Sequence, residues 1–179
     1  AAATWVQVGY WKNSRALYER ALAVDAHNYL AHNNLGNLYY KDGNLEAAKR
    51  HYEAAVRVRP TYADANYNLG NVVLRQGDPL TARALFERAL ASQPDHAMAN
   101  LNIGVIHAGS RDYERARVHF ERAALADPGN PEPLHNLGVI HGILKQPQKA
   151  RSYLERALRI DPGHERARQE LQRLMREPD

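Results

Sequence analysis

Asn34, Asn68, Asn102 and Asn136 follow one another at intervals of 34 residues. A side-chain amide both donates and accepts hydrogen bonds, so a row of four can hold successive peptide groups of an extended ligand without reading its side chains. Asn is a mediocre helix former, and its return on each beat asks for a reason beyond helix stability. The competing reason is that the amides bond neighbouring helices. One residue before each Asn stand Asn33, Tyr67, Leu101 and His135, and three after it Asn37, Asn71, Val105 and Val139. Tyr40 with Lys41 and Leu74 with Arg75 follow in the first two intervals, Ala108 and Ile143 in the last two. A ligand with an acidic or polar portion over Lys41 and Arg75 and an apolar anchor over Leu101, Val105 and Val139 would fit both halves.

Other chemistry is harder to assemble. No two of the nine histidines stand four apart, and His107 and His141 are a whole interval apart, too far to share an ion at ~2 Å bonds. They read as packing rings, and no metal is expected. The absence of cysteine excludes disulfides, thiolate zinc sites and cysteine nucleophiles, and leaves the redox compartment open. There is no Gly-rich phosphate loop, nucleophile elbow or H-E-x-x-H pair, so neither an active site nor a cofactor is expected. Arg15/Glu19 and its successors Lys49/Glu53, Arg83/Glu87, Arg117/Glu121 and Arg151/Glu155 are solvated pairs four apart, each contributing ~0.2–0.5 kcal/mol.

Composition narrows the partners. A formal charge of +4 from 24 cations and 20 anions is not the clustered excess of a nucleic-acid binder. No run of 18 apolar residues is present to span a bilayer. The chain opens at Ala1 without Met or a basic leader, which reads as an excerpt or processed form rather than a signal peptide.

The elements that must position the amides repeat with them. Two residues after each Asn comes Gly36, Gly70, Gly104 or Gly138, then Ala48, Ala82, Ala116, Ala150, a large apolar residue (Tyr52, Phe86, Phe120, Leu154), Ala55, Ala89, Ala123, Ala157, and Pro60, Pro94, Pro128, Pro162. Registers in phase at a period of ~20–50 residues mark a repeat architecture. Gly in a helix interior costs about 1 kcal/mol against Ala, so these four are expected where two helices cross closely, each facing the first Ala of its repeat.

This pattern resembles the tetratricopeptide repeat, a 34-residue helix-turn-helix with the signature W-x2-L-G-x2-Y, A-x3-F, P. The resemblance covers nearly the whole chain. It departs at the Trp position (His32, Asn66, Asn100, Leu134) and at the Tyr position (Tyr39, Val73, His107, His141). It implies an all-α fold, a right-handed superhelical solenoid of antiparallel helix pairs forming one array. The units are a half repeat over 1–28, full repeats over 29–62, 63–96, 97–130 and 131–164, and a capping helix over 165–176 with Ala167, Leu171 and Leu174 on one face. Gly43 and Gly77 should end the first helices of their repeats, with Asn44 and Asp78 capping the second; Arg111 and Lys145 replace Gly, so those turns should differ in detail.

In this family the first helices line a concave wall, the usual groove for an extended peptide or partner helix. The row of Asn looks like the asparagine ladder of the O-linked N-acetylglucosamine transferase repeats. The Lys/Arg clamp of chaperone-tail readers is not matched, since those places hold Asn33, Met98 and Asn102, and only Asn37 and Asn68 agree. Three readings follow. The first is a protein-interaction module with a protein or peptide ligand in the groove. The second is the tail of a membrane glycosyltransferase-like protein, because Trp5 to Asn28, with Tyr10-Trp11-Lys12-Asn13-Ser14, looks similar to the segment before the repeats of protein O-mannosyltransferase-like proteins. Any membrane attachment would then come from a segment outside this chain. The third, an RNA-binding helical repeat, lacks an aromatic and a cation in each repeat, and no nucleic acid is expected. Trp5 and Trp11 would pack the uncapped N-terminal end, lie at a membrane interface, or join a second copy there.

Overall fold

The computed structural model describes residues 14–176; Trp5, Trp11 and most of the segment likened to O-mannosyltransferase-like proteins lie outside them. The described residues form ten helices and no strand. They are α1 (residues 14–24), α2 (Tyr29–Lys41), α3 (Leu45–Val58), α4 (Ala63–Arg75), α5 (Pro79–Ser92), α6 (Ala97–Gly109), α7 (Tyr113–Ala126), α8 (Pro131–Ile143), α9 (Pro147–Ile160) and α10 (Glu165–Arg176). None is long and apolar enough to cross a membrane. The chain forms two compact units, one ending at Gln93 and one beginning at Pro94.

Each even-numbered helix from α2 to α8 packs on the odd-numbered helix that follows it, and the second helix of one pair packs on the first of the next within each unit. The turn between paired helices is built the same way in all four repeats. The N–H three residues past the helix end returns to a carbonyl five residues earlier: Asn44 to Tyr39, Asp78 to Val73, Asp112 to His107 and Gln146 to His141. This closure needs one residue in the left-handed region. Gly43 (φ 78) and Gly77 (φ 86) supply it, as expected from the sequence. Arg111 (φ 61) and Lys145 (φ 53) adopt the same conformation. The expectation that these two turns would differ is therefore corrected: the six-residue ring of hydrogen bonds and the flanking helices hold a non-glycine residue where glycine would be easier.

Side chains cap the N-termini. The Oδ1 atoms of Asn28, Asn44 and Asp78 accept from Ala31, Ala47 and Thr81 N–H groups at 3.0 Å. His96 and His164 do the same through Nδ1, accepting from Ala99 and Ala167 at 3.2 Å. Each capping acceptor satisfies an N–H that the helix itself leaves without a partner.

The repeated glycines are where two helices meet, but the group opposite each one is a ring or branched side chain. A Cβ at Gly36 would lie 2.5 Å from the Tyr52 ring, at Gly70 2.6 Å from Phe86, at Gly104 2.5 Å from Phe120 and at Gly138 2.6 Å from Leu154. Those four large side chains are at most 1% exposed, and Ala48, Ala82, Ala116 and Ala150 beside them are fully buried. The missing side chain thus makes room for a ring or, at Gly138, a leucine, and the alanines keep the neighbouring backbone close. Dense packing of this kind leaves little slack for added atoms.

In the second unit α10 rests on α9 and α8. Its Ala167 is fully buried and Leu171 and Leu174 pack against the core of Phe120, Leu134, Leu137, Ile140 and Leu154. The single apolar face expected for a terminal helix is the face it uses.

Candidate functional site

Asn34, Asn68, Asn102 and Asn136 are all half-buried, at equivalent places on α2, α4, α6 and α8. In the first unit the row is not wholly free for a ligand. Asn68 Nδ2 donates to Asn33 Oδ1 at 3.0 Å and to Asn37 Oδ1 at 3.2 Å. Asn37 Oδ1 also accepts from the Tyr52 hydroxyl at 2.8 Å. Of the two reasons considered for the row, the bond between neighbouring helices is seen at Asn68: its amino group ties α4 to α2.

A recess opens between these helices, lined by Asn37, Tyr40, Lys41, Tyr52, Asn68 and Asn71. Two cations stand at its margin. Lys41 is exposed in the last turn of α2, where the helix dipole favours positive charge, and the Arg75 guanidinium lies 5.3 Å from the centre of the Tyr40 ring. Tyr67 packs against Phe86 at 5.8 Å. Burial pushes its phenol up from the ordinary value, opposed by a hydrogen bond with Asn71. The recess offers amides, phenols and positive charge.

The corresponding face of the second unit is more apolar. Val105 and Ile143 are 49% and 48% exposed, and Val139 and the Asn102 and Asn136 amides are half-buried. Two residues singled out from the sequence are placed differently. Leu101 is 8% exposed and belongs to the core with Phe120 and Leu134. His135 is 7% exposed, its ring 5.0 Å from that of His164. Neither offers a face to a peptide ligand, because Leu101 is taken up by the core and His135 by its contact with His164.

Sequence reasoning missed two groups. Asn66 and Asn100, at the place of the signature Trp, are fully buried. Their Nδ2 atoms donate to the Pro60 and Tyr62 carbonyls and to the Pro94 and His96 carbonyls, at 2.9–3.2 Å. They bind the first helix of a repeat to the connecting segment just before it, and the signal was their identity at a position where an apolar ring is expected. Six of the nine histidines form pairs: His32 with His51, His107 stacked on His119 at 5.7 Å, and His135 with His164. The packing role read for His107 and His141 holds, the latter stacked on Tyr153 at 5.2 Å.

Antiparallel helix pairs on a 34-residue beat, with a glycine against a large apolar side chain at each crossing, define a helix-turn-helix repeat protein. The chain belongs to the tetratricopeptide repeat family: models described as tetratricopeptide repeat or TPR repeat match residues 17–50, 36–77, 67–131 and 131–164. No curated protein matches it. Among solved structures it is similar to YrrB, described as a TPR protein with an unusual peptide-binding site, at 26% identity over 94% of this chain and 87% of that one, TM-score 0.71. It is also similar to Pseudomonas aeruginosa pilF, at 26% identity over 92% of this chain and 69% of that one, TM-score 0.71. MamA, at 21% identity over 87% and 91% of the two chains and TM-score 0.73, shares the fold.

Proposed function

We propose that the chain is a protein-interaction scaffold that takes an extended peptide or a partner helix on the face presented by α2 and α4 in the first unit and by α6 and α8 in the second. The observation that carries this reading is the recurrence of a half-buried amide at one place in four helices, Asn34, Asn68, Asn102 and Asn136. A half-buried amide can pair with a ligand backbone while a largely buried one is committed to the fold. In the first unit Lys41 and Arg75 suit an acidic or polar segment, and in the second Val105, Val139 and Ile143 suit an apolar one. The description of YrrB as peptide-binding supports the same class of partner. The polar groups here form a binding surface, and the reading is of a non-catalytic module.

A random peptide library selected against the full chain, followed by photo-crosslinking of the recovered peptides, tests the surface. Crosslinks should fall on α2, α4, α6 and α8. Crosslinks confined to α3, α5, α7 and α9 would overturn the assignment.

A further inference from the structure

Glu132 and His135 stand about one turn apart on α8, and His164 caps α10. Folding brings one potential ligand atom from each to within 4.8 Å of the others. His164 Nε2 lies 3.4 Å from Glu132 Oε1. Two ligands of a tetrahedral zinc ion with bonds of about 2.0–2.1 Å are themselves about 3.3–3.4 Å apart, so this pair already has ligand spacing. Both imidazoles are 7% exposed, and neither His135 Nδ1 nor His164 Nε2 has a hydrogen-bond partner. A buried polar atom left unpaired costs about 1–3 kcal/mol. Other packed histidines are served better: His119 Nδ1 meets Asn100 Oδ1 at 3.0 Å and His141 Nδ1 meets Gln146 Oε1 at 2.8 Å.

We propose that Glu132, His135 and His164 form a site for one divalent transition-metal ion of the zinc type. Two imidazoles and a carboxylate suit zinc, cobalt, nickel or copper better than magnesium or calcium, which prefer all-oxygen shells. Three protein ligands leave a position for water. Glu132, whose side chain is 35% exposed, marks the way in.

Two contacts give way when the ion enters. Ala167 N–H donates to His164 Nδ1, so in the metal-free protein the ring proton sits on Nε2. Coordination through Nε2 moves that proton to Nδ1, with none released from the ring, and the capping bond is lost. Arg166 donates to Glu132 Oε1. Its side chain is 65% exposed and can swing into water, leaving the carboxylate to the ion. Metal binding is thereby in competition with Arg166 and with the cap of α10.

The full chain is titrated with ZnCl2 by calorimetry and with CoCl2 by visible absorption. One ion should bind per chain, and cobalt should give the intense bands of a four- or five-coordinate ion. His164→Asn retains an oxygen to accept from Ala167 N–H but removes the ligand nitrogen, and should weaken zinc at least ~tenfold, the scale at which even outer-shell changes are felt. Arg166→Ala should tighten zinc binding, a sign that loss of fold or adventitious surface binding does not produce. His27→Gln, at an exposed histidine of the first unit, should leave zinc binding unchanged. Absence of saturable 1:1 binding, or equal affinity in wild type, His164→Asn and Arg166→Ala, would overturn the site.

Discussion

Asn68 Nδ2 donates to Oδ1 of Asn33, a residue 4% exposed, across 3.0 Å between α4 and α2. A residue picked out from the sequence for ligand binding thus also satisfies a buried acceptor of its neighbour. Removing it strands Asn33 Oδ1, and a buried polar group without a partner costs about 1–3 kcal/mol. Asn68→Ala should lower stability by that amount in urea denaturation. Asn136→Ala should fall within about 0.5 kcal/mol of wild type. Equal stabilities for the two variants would show that the Asn68 bond is not part of the fold's support.

At Gly104 helix propensity and packing oppose each other. Alanine is favoured over glycine by about 1 kcal/mol inside a helix, but its Cβ would lie 2.5 Å from Phe120 Cε1. Overpacking a dense core costs about 1–3 kcal/mol. Gly104→Ala should therefore destabilise, while Gly109→Ala in the same helix, with nothing within 4 Å of the new atom, should not. Thermal melts of both variants decide it, and a stabilised Gly104→Ala would contradict the packing account.

Arg111 and Lys145 hold the left-handed conformation that Gly43 and Gly77 adopt without a side chain. Replacing a residue at such a cap with glycine commonly stabilises by about 0.5–2 kcal/mol. Arg111→Gly and Lys145→Gly should raise the melting temperature, and Gly43→Ala should lower it. A fall for both glycine variants would indicate that side-chain contacts at these turns outweigh backbone strain.

Burial is the largest cause lowering the pKa of His51, His119 and His135. Neighbouring cationic or titratable groups add to it: His32 and Arg50 at His51, His107 and Arg122 at His119, and His164 and Arg166 at His135. The unfolded chain then binds more protons than the folded one below the ordinary histidine value of ~6.5, and stability is lost as pH falls through the folded values. The metal-free protein should melt lower at pH 5 than at pH 7.5. His119→Phe should narrow the difference, and an undiminished difference would place its origin in other groups.

Much of the fold was legible because its residues report on backbone demands. Gly36, Gly70, Gly104 and Gly138 mark close approach, and the prolines after each second helix mark its end. What the glycine faces was less legible, since the ring of Tyr52, Phe86 or Phe120 reaches it from one turn beyond the alanine that spacing suggested. Arg111 and Lys145 were misread because a cooperative turn can impose a conformation that the residue type disfavours. Of the residues the periodicity singled out, Lys41 and Val105 are exposed, whereas Leu101 is taken into the core and His135 meets His164, a direction that register alone does not specify. The meeting of His164 with Glu132 and His135 depends on how α10 settles on α8, which no local spacing encodes.

The most direct measurement is the dissociation constant of a library-selected peptide for three proteins of matched melting temperature: wild type, Lys41→Glu at the recess of the first unit, and Arg50→Glu on the exposed side of α3. Hydrogen bonds to charged groups contribute about 1.5–3 kcal/mol, so Lys41→Glu should weaken an acidic peptide at least ~tenfold and Arg50→Glu should leave it unchanged. Equal affinities for all three proteins, or a loss confined to Arg50→Glu, would contradict a ligand on the α2–α4 face.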